Sequence, residues 1–245
     1  MKLNLKEDTE LIINNENLIS IVTKPNTNSK IILFNPKIIK LKMGNNSKLS
    51  LYTFYKDLKI KKEATLEKDS RLECFEIILN TSIESNINLN ETNSSYLNKS
   101  LSFSTKDLTI NTRINHNSKE TKSSIINKSL IGKNSSVKCQ GKIIIPKTSV
   151  NCNSQQKFEA LFLDNTSKCE ASPILEIFND QVSCSHSATI SYINQEKLYY
   201  LNSRGLDEKK ATELLLEAFA ETILKNMPEE ITEKIKGALK WIFQS

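Results

Sequence analysis

Two side chains that can bind metal ions or act as nucleophiles, Cys184 and His186, lie two positions apart near the C-terminal end of the sequence. The residues around them alternate as in a β-strand, on which side chains two positions apart point to the same face. A thiol beside an imidazole is a ligand pair for a soft or borderline metal such as iron. We therefore take His186 as the candidate metal ligand, with Cys184 next to it. The alternatives are that His186 hydrogen-bonds a neighbouring carbonyl and that Cys184 fills the core.

The remaining histidine and cysteines are predicted to be structural. His116 falls at the end of a predicted strand, where an imidazole usually serves as a hydrogen-bonding group. The 5 cysteines contain no CxxC pair, which disfavours a disulfide framework and a structural zinc site. Cys139 and Cys152 occupy the same place after a polar turn, so we expect both to fill the core.

The sequence gives little support for an enzymatic function. A catalytic Cys–His pair also needs an orienting group and an oxyanion hole, and no flanking motif supplies them. A glycoside hydrolase needs two facing carboxylates. Glu170, Glu176 and Asp180 are instead separated by ordinary strand and turn sequence. We predict that the chain is not an enzyme, with a β-helix enzyme acting on polysaccharide as a less favoured alternative.

The candidate pair must be positioned by a body that is mainly β. Residues 1–193 are short alternating segments separated by Asn, Asp, Ser and Lys. A polar turn that leads into such a segment recurs at unequal intervals, as in NNSKLSL from Asn45 and KDSRLEC from Lys68. This recurrence with few glycines predicts a right-handed parallel β-helix, although alternation alone also permits a β-sandwich. The clearest predicted strands are residues 31–34, 49–55, 72–79, 101–103, 108–114, 137–139, 143–145 and 161–163.

The pattern changes to helical at residue 194. Asn194 is the predicted N-cap of a short helix that stops at Gly205, and Asp207 is the predicted N-cap of a second helix. The second helix has a predicted buried stripe consisting of Ala211, Leu214, Leu215, Ala218, Phe219, Thr222 and Ile223. The third helix, opened by Pro228, has a stripe consisting of Ile231, Ile235, Leu239 and Ile242. We divide the chain into a β-helix core domain, 1–193, and a C-terminal α-helical subdomain, 194–245.

Composition and charge exclude several classes of protein. The 5 glycines are too few for a glycine-rich phosphate loop. Residues 194–245 hold 8 Lys and Arg against 9 Asp and Glu, a net charge of −1, which leaves +7 on residues 1–193 from the total of +6. The helices therefore do not resemble a nucleic-acid reader. No apolar run reaches the roughly 20 residues of a membrane helix. We expect no nucleic-acid or membrane partner, and a location in the cytoplasm or, in an organelle, the plastid stroma.

The segment SCSHSATISYINQEKLYYLNSRGLDEKKATELLLEAF, residues 183–219, resembles the C-terminal hallmark of the SufB/SufD family of iron–sulfur cluster assembly scaffold proteins. The similarity extends to LFLDNTSKCEASPILEI, residues 161–177, and to residues 114–146. The C-terminal half of the chain thus resembles the family at the level of sequence motifs, and the first hundred residues resemble it only in their general pattern. The segment from Cys184 to Ser187 resembles SufD more than SufB, whose chains carry an acidic-His-acidic cluster there.

The resemblance implies a scaffold subunit of the SUF assembly complex. The β-helix core would pair with a SufB-like paralogue as a heterodimer, and the helices would dock a SufC-like ABC ATPase. No cofactor would be bound stably by the chain alone, but iron or a nascent Fe–S cluster would pass through the partner interface. His186 would act there as an iron ligand or position one, beside Cys184. The residues implied in ATPase binding are Tyr200, Ser203, Arg204, Gly205, Glu217 and Phe219.

An alternative within the family is a SufB-like scaffold that acts as a homodimer and carries the cluster itself. It would need iron and sulfide to bind the isolated chain through a cysteine such as Cys169.

The sequence departs from the family pattern at two positions, whichever of the two scaffolds it resembles. Ser187 stands where the family usually has Gly, which restricts the backbone. Asn202 stands where it usually has Arg, which changes a partner contact or salt bridge.

Overall fold

The computed structural model describes residues 1–242, with the surroundings of side chains as far as residue 235. In this range, strands run in order until residue 192 and helices follow. The strands are β1 (Lys2–Leu5), β2 (Glu10–Asn14), β3 (Leu18–Thr23), β4 (Asn28–Phe34), β5 (Ile38–Met43), β6 (Lys48–Lys56), β7 (Lys59–Leu66), β8 (Arg71–Leu79), β9 (Ser82–Leu89), β10 (Ser95–Ser104), β11 (Leu108–His116), β12 (Lys122–Ile131), β13 (Ser136–Ile145), β14 (Cys152–Phe162), β15 (Lys168–Ile177) and β16 (Val182–Tyr192). The helices are α1 (Gln195–Ser203), α2 (Glu208–Leu224) and α3 (Glu229–Ile242).

The odd-numbered strands form one eight-stranded sheet and the even-numbered strands form another. Each strand pairs in parallel with the strand two places along the chain, for example β12 with β14 and β13 with β15. Each coil therefore contributes one strand to each sheet, and the stacked coils form a parallel β-solenoid. The predicted β-helix is confirmed, and hairpin pairing of the β-sandwich kind is excluded for these strands. The predicted segments 137–139 and 143–145 prove to be parts of one strand, β13.

Asparagine and aspartate take the place of glycine at the corners between the sheets. Asn35, Asp57 and Asn80 have φ of 53°, 54° and 46°, in the left-handed region that these residue types tolerate better than others. The corners also stack, because the N–H of Asn35 donates to the carbonyl of Phe54 at 2.9 Å and that of Asp57 to Leu79 at 2.9 Å. This explains how a chain with so few glycines turns so often.

The interior of the solenoid combines apolar side chains with buried polar ones such as Asn98 and Ser100, and it contains a buried ion pair. The Lys62 ammonium of the odd sheet lies 2.8 Å from the Glu76 carboxylate of the even sheet, and both side chains are almost inaccessible. The Tyr55 hydroxyl donates to Glu76 at 3.2 Å and the Asn98 amide donates to it at 2.6 Å. The pair thus links the two sheets across the core, with the carboxylate fully hydrogen-bonded.

The caps of the helices agree with the sequence. Asn194 Oδ1 accepts the Lys197 N–H at 2.8 Å, and Asp207 Oδ1 accepts the Lys210 N–H at 2.8 Å. Gly205 has a φ of 91°, as a left-handed stop requires. No helix in the described residues has the length and apolarity to cross a membrane.

Helices α2 and α3 pack on the outer face of the even sheet, where the strands present a second apolar cluster. This surface corrects the predicted stripe of α2: Leu214 is 46% exposed, and Ala218 and Thr222 are also exposed. The buried residues of α2 are Ala211, Leu216, Ala220 and Ile223. Three consecutive leucines permit more than one helical register, and the position of the sheet selects Leu216. Ile231 and Ile235 of α3 are buried as predicted, whereas Leu239 and Ile242 lie outside the residues with described side chains.

Candidate subunit-pairing edge and metal site

β15 and β16 end the two sheets, since each pairs with a described strand on one side only. We call this region the open end. Side chains that point into the solenoid are buried in earlier coils but partly accessible here, with Ile190 44% and Tyr192 56% exposed. The open end therefore presents both free backbone groups and apolar surface.

β16 has the properties of a strand that pairs with another chain. It runs for 11 residues, VSCSHSATISY, without a charged side chain. At the other end of the solenoid, β1 and β2 are only 4 and 5 residues long and carry Lys2 and Glu10. Short length and charge are common ways to prevent edge-to-edge association, and a long uncharged edge favours it. The two ends of the solenoid thus differ in their capacity to recruit a strand.

Cys184 and His186 share one face of β16, as predicted, and this face points to the interior of the last coil. In the ladder with β14, Cys184 lies beside Ser154 and His186 beside Gln156. Cys184 is half-buried and His186 is exposed. Burial raises the pKa of the Cys184 thiol, with the neighbouring Cys152 adding to the effect. The thiol is therefore protonated at neutral pH, and a metal ion would have to displace that proton.

The other cysteines near the open end are less reactive. Burial raises the pKa of Cys139 to about 12 and that of Cys169 to about 11. Cys139 and Cys152 are buried, as predicted for core residues, and Cys169 is half-buried on β15. Within the described part of the chain, no three His, Cys, Asp or Glu side chains are grouped to hold a metal ion. Cys184 and His186 thus form a pair of candidate ligands, and the described residues do not add a third to make a metal-binding group.

His116 ends β11 and is completely buried. Its ring nitrogens lie 2.7 Å from the Thr121 hydroxyl and 2.9 Å from the Ser123 hydroxyl. Burial lowers the pKa of His116 to about 4, so the ring is neutral at physiological pH. This geometry fits the structural role predicted for His116.

The carboxylates considered for glycoside hydrolysis lie on the surface and do not converge. Glu170 faces Lys138 at 3.5 Å, and Glu176 faces Lys142 at 2.6 Å, both on the outer face of the odd sheet. Asp180 is exposed in the turn before β16. These are paired or solvated surface groups.

The helices present a second surface. Tyr200, Ser203, Arg204 and Gly205 are all exposed at the end of α1, where the Arg204 guanidinium lies over the Tyr200 ring at 5.2 Å from its centroid. The Ser203 hydroxyl donates to the Tyr200 carbonyl at 2.7 Å, which fixes the turn. The sequence did not single out Tyr199, which is 77% exposed on the same helix.

The two α2 residues implied in ATPase binding face different surroundings. Glu217 is exposed. Phe219 is half-buried against the solenoid, with the Lys128 ammonium 4.8 Å from its ring centroid and donating to its carbonyl at 2.9 Å. Phe219 thus contacts the even sheet with part of its surface, and Tyr199 and Leu214 are further apolar side chains exposed on α1 and α2.

The structure thus combines a solenoid that has an uncharged terminal edge, two candidate ligands on that edge and helices packed on one face. The family model for the SUF system FeS cluster assembly SufBD core domain matches residues 6–219, most of the chain. The chain therefore belongs to the SufBD core domain family.

Curated relatives match the chain over shorter segments. An iron–sulfur cluster assembly SufBD family protein of Staphylococcus aureus strain USA300 is 34% identical over 112 residues, which are 45% of this chain and 24% of the relative. A SufBD family protein of Synechocystis is 40% identical over 88 residues, 36% of this chain and 19% of the relative. The matched segments thus cover about a quarter or less of these relatives.

Proposed function

We propose that the chain is a SufD-like scaffold subunit of the SUF iron–sulfur cluster assembly complex, in the cytoplasm or a plastid stroma. It has no catalytic residue of its own and acts by holding partners. The observation that carries the proposal is β16, a long uncharged edge strand that bears Cys184 and His186 in a chain of the SufBD core domain family.

The first partner is a SufB-like paralogue, bound at the open end as a heterodimer. A strand added to β16 would satisfy its free N–H and C=O groups and continue the even sheet. The exposed Ile190 and Tyr192 would be buried in the same contact. Pairing would also cover His186, which places the candidate ligand at the interface between the two subunits.

Iron or a nascent Fe–S cluster is the cargo of this interface. Structural and cluster sites usually need four protein ligands, whereas Cys184 and His186 provide two. The remaining ligands would come from the partner subunit. His186, which is exposed, is the primary ligand, and the raised pKa of Cys184 makes its thiol the secondary one.

The second partner is a SufC-like ABC ATPase, docked on the exposed side of α1 and α2. Tyr200, Ser203, Arg204, Gly205 and Glu217 lie at this surface. Nucleotide binding by the ATPase would bias the subunit interface between two arrangements, because a ligand shifts an equilibrium in proportion to its difference in affinity for the two states. The chain would transmit this change from its helices to the open end.

Charge placed on β16 tests the heterodimer. Ser185→Lys with Thr189→Lys adds two charges to the outer face of the edge strand without changing the interior. We expect this variant to fold but to lose co-purification with a SufB-like paralogue. Ile12→Lys, at an exposed position of β2, is the matched control and should co-purify normally. Undiminished capture by the β16 variant would refute pairing at this edge.

Removal of the imidazole tests the ligand. His186→Ala is expected to leave folding and complex formation intact and to lower the rate of cluster assembly by the complex. An unchanged rate would remove His186 from the metal site while leaving the scaffold role standing.

A SufB-like homodimer is the second candidate, and the half-buried Cys169 at the open end is the observation that favours it. Anaerobic reconstitution of the isolated chain with iron and sulfide distinguishes the two. The SufD-like proposal expects no stable cluster absorbance. A cluster lost on Cys169→Ala would support the SufB-like alternative.

A further inference from the structure

One side chain beside the candidate ligand has an unexplained environment. Gln156 lies on β14 and is completely buried, yet its Oε1 and Nε2 atoms both lack a hydrogen-bond partner among the described residues. A buried primary amide without partners is unfavourable, so native proteins usually supply a partner. Gln156 is therefore a buried amide whose two polar atoms have no protein partner among the described residues.

The space for this amide comes from the opposite wall of the solenoid. A Cβ atom at Gly141 of β13 would come within 2.8 Å of Gln156 Oε1. The absence of a side chain at position 141 thus lets the Gln156 amide lie across the interior. In the preceding coil, the ladder neighbour of Gln156 is Ile125, which has no polar side-chain atom, and the neighbour of Gly141 is Thr112, which makes no hydrogen bond to the amide.

On the side of the open end, the ladder neighbour of Gln156 is His186. Adjacent strands are about 4.8 Å apart, so direct neighbours on the same face are within reach of long side chains. The neighbour of Gly141 in that coil is Pro173, which carries no polar side-chain atom. His186 is thus the polar side chain that the last coil places next to the unpaired amide.

We propose that Gln156 is a positioning residue for His186. The imidazole turns inward and donates one ring N–H to Gln156 Oε1, which fixes the tautomer and leaves the other ring nitrogen free to bind iron. Metal-ligating histidines commonly donate their second nitrogen to a carbonyl or carboxylate in this way. The iron-binding part of this inference rests on the proposed function, but the imidazole–amide pair does not.

The pair itself can be tested in the full chain without any partner. The sequence has 2 histidines, so ¹⁵N spectra of the rings contain His186 and one internal reference, His116. At a pH of about 8 we expect one dominant tautomer for His186 in the wild type. Gln156→Met, which keeps length but removes the polar atoms, should return His186 to the mixed-tautomer shifts of a free imidazole and leave His116 unchanged.

Two further variants separate the hydrogen bond from packing. Gln155→Met changes the adjacent glutamine, which is exposed on the outer face, and should match the wild type. Gln156→Glu keeps an accepting oxygen and should retain the single tautomer. If Gln156→Met leaves the His186 spectrum as in the wild type, the imidazole–amide pair does not exist.

The consequence for metal binding is measured in the co-purified complex by anaerobic titration with ferrous iron. Gln156→Met is expected to weaken iron binding by about tenfold or more, with Gln155→Met unaffected. Equal affinities of all variants in an intact complex would overturn the positioning role while leaving the proposed function in place. Failure of the wild-type chain to form a complex would count against the proposed function, and the ring spectra would still decide the pair.

Discussion

Buried ionisable side chains determine how this solenoid responds to pH, and His116 is the clearest case. Its pKa is lowered to about 4 by burial, whereas an unfolded histidine titrates near 6.5. The folded state therefore binds fewer protons than the unfolded state, so the stabilisation is present above the unfolded value and is lost as the pH falls toward 4. The ring acts as a neutral hydrogen-bonding group that acid would force to charge.

We expect the free energy of unfolding to decrease by about 2 kcal/mol from this residue alone between a pH of about 7 and a pH of about 5. Urea unfolding at a series of pH values measures this decrease in the free energy of unfolding. His116→Gln should remove most of the slope in this range. A slope that survives in His116→Gln would show that other groups cause it.

The Lys62–Glu76 pair is stabilising only as a pair. Burial by itself lowers the pKa of Lys62, but the Glu76 carboxylate, together with Tyr96, Cys74 and Tyr55, outweighs it and holds the pKa of Lys62 well above its usual value, so the ammonium stays charged. Lys62→Met leaves a buried carboxylate without its counter-ion and should cost about 3–5 kcal/mol in urea unfolding. Lys62→Met with Glu76→Gln should recover most of this loss. A double variant as unstable as the single one would contradict the argument.

Individual residues were predicted correctly where the pattern of residue types along the chain was enough to place them. The shared face of Cys184 and His186 follows from the two-residue period of a strand, and the buried Cys139 and Cys152 follow from their common place after a turn. Gln156 and Lys62 were missed because polar residues on an alternating strand look solvated until the opposite wall is known. The available signal was that both residues alternate in phase with the buried apolar positions of their strands. That Gly141 leaves room for the Gln156 side chain is visible only in the three-dimensional structure.

The orientation of α2 is the feature of the elements that the sequence predicted least well. The start of α2 is predicted correctly from Asp207, as the two ends of α1 are from Asn194 and Gly205, since capping is local chemistry. Which leucine faces the sheet depends on tertiary contact with the outer surface of the even strands. That contact buries Leu216, 3% exposed, and leaves Leu214 at the surface.

Truncation of the two leucines should therefore have different effects. Leu216→Ala is expected to lower the free energy of unfolding by about 2–5 kcal/mol, because it opens a cavity between α2 and the sheet. Leu214→Ala should leave stability near that of the wild type and weaken capture of a SufC-like ATPase. Thermal unfolding and co-purification measure the two effects. Equal losses of stability would show that Leu214 is also packed.

At the scale of the whole molecule, the two ends of the solenoid are not equivalent. The N-terminal end has short charged strands, and the open end has a long uncharged strand with the candidate ligands. The recurrence of polar turns was enough to predict a parallel solenoid, because each corner repeats the same local chemistry. The difference between the two ends could not be predicted in the same way. It depends on which strands lie at the sheet edges, and this is known only once the topology is established.

Amide hydrogen exchange of the full chain, alone and mixed with a SufB-like paralogue, measures the use of this edge most directly. Addition of the paralogue should slow exchange across β16 by a factor of ten or more, on the order expected when free edge amides enter a ladder, and leave β2 unchanged. Unaltered exchange in β16 within a complex that does form, or protection confined to β2, would contradict the assignment of the open end as the subunit-pairing site.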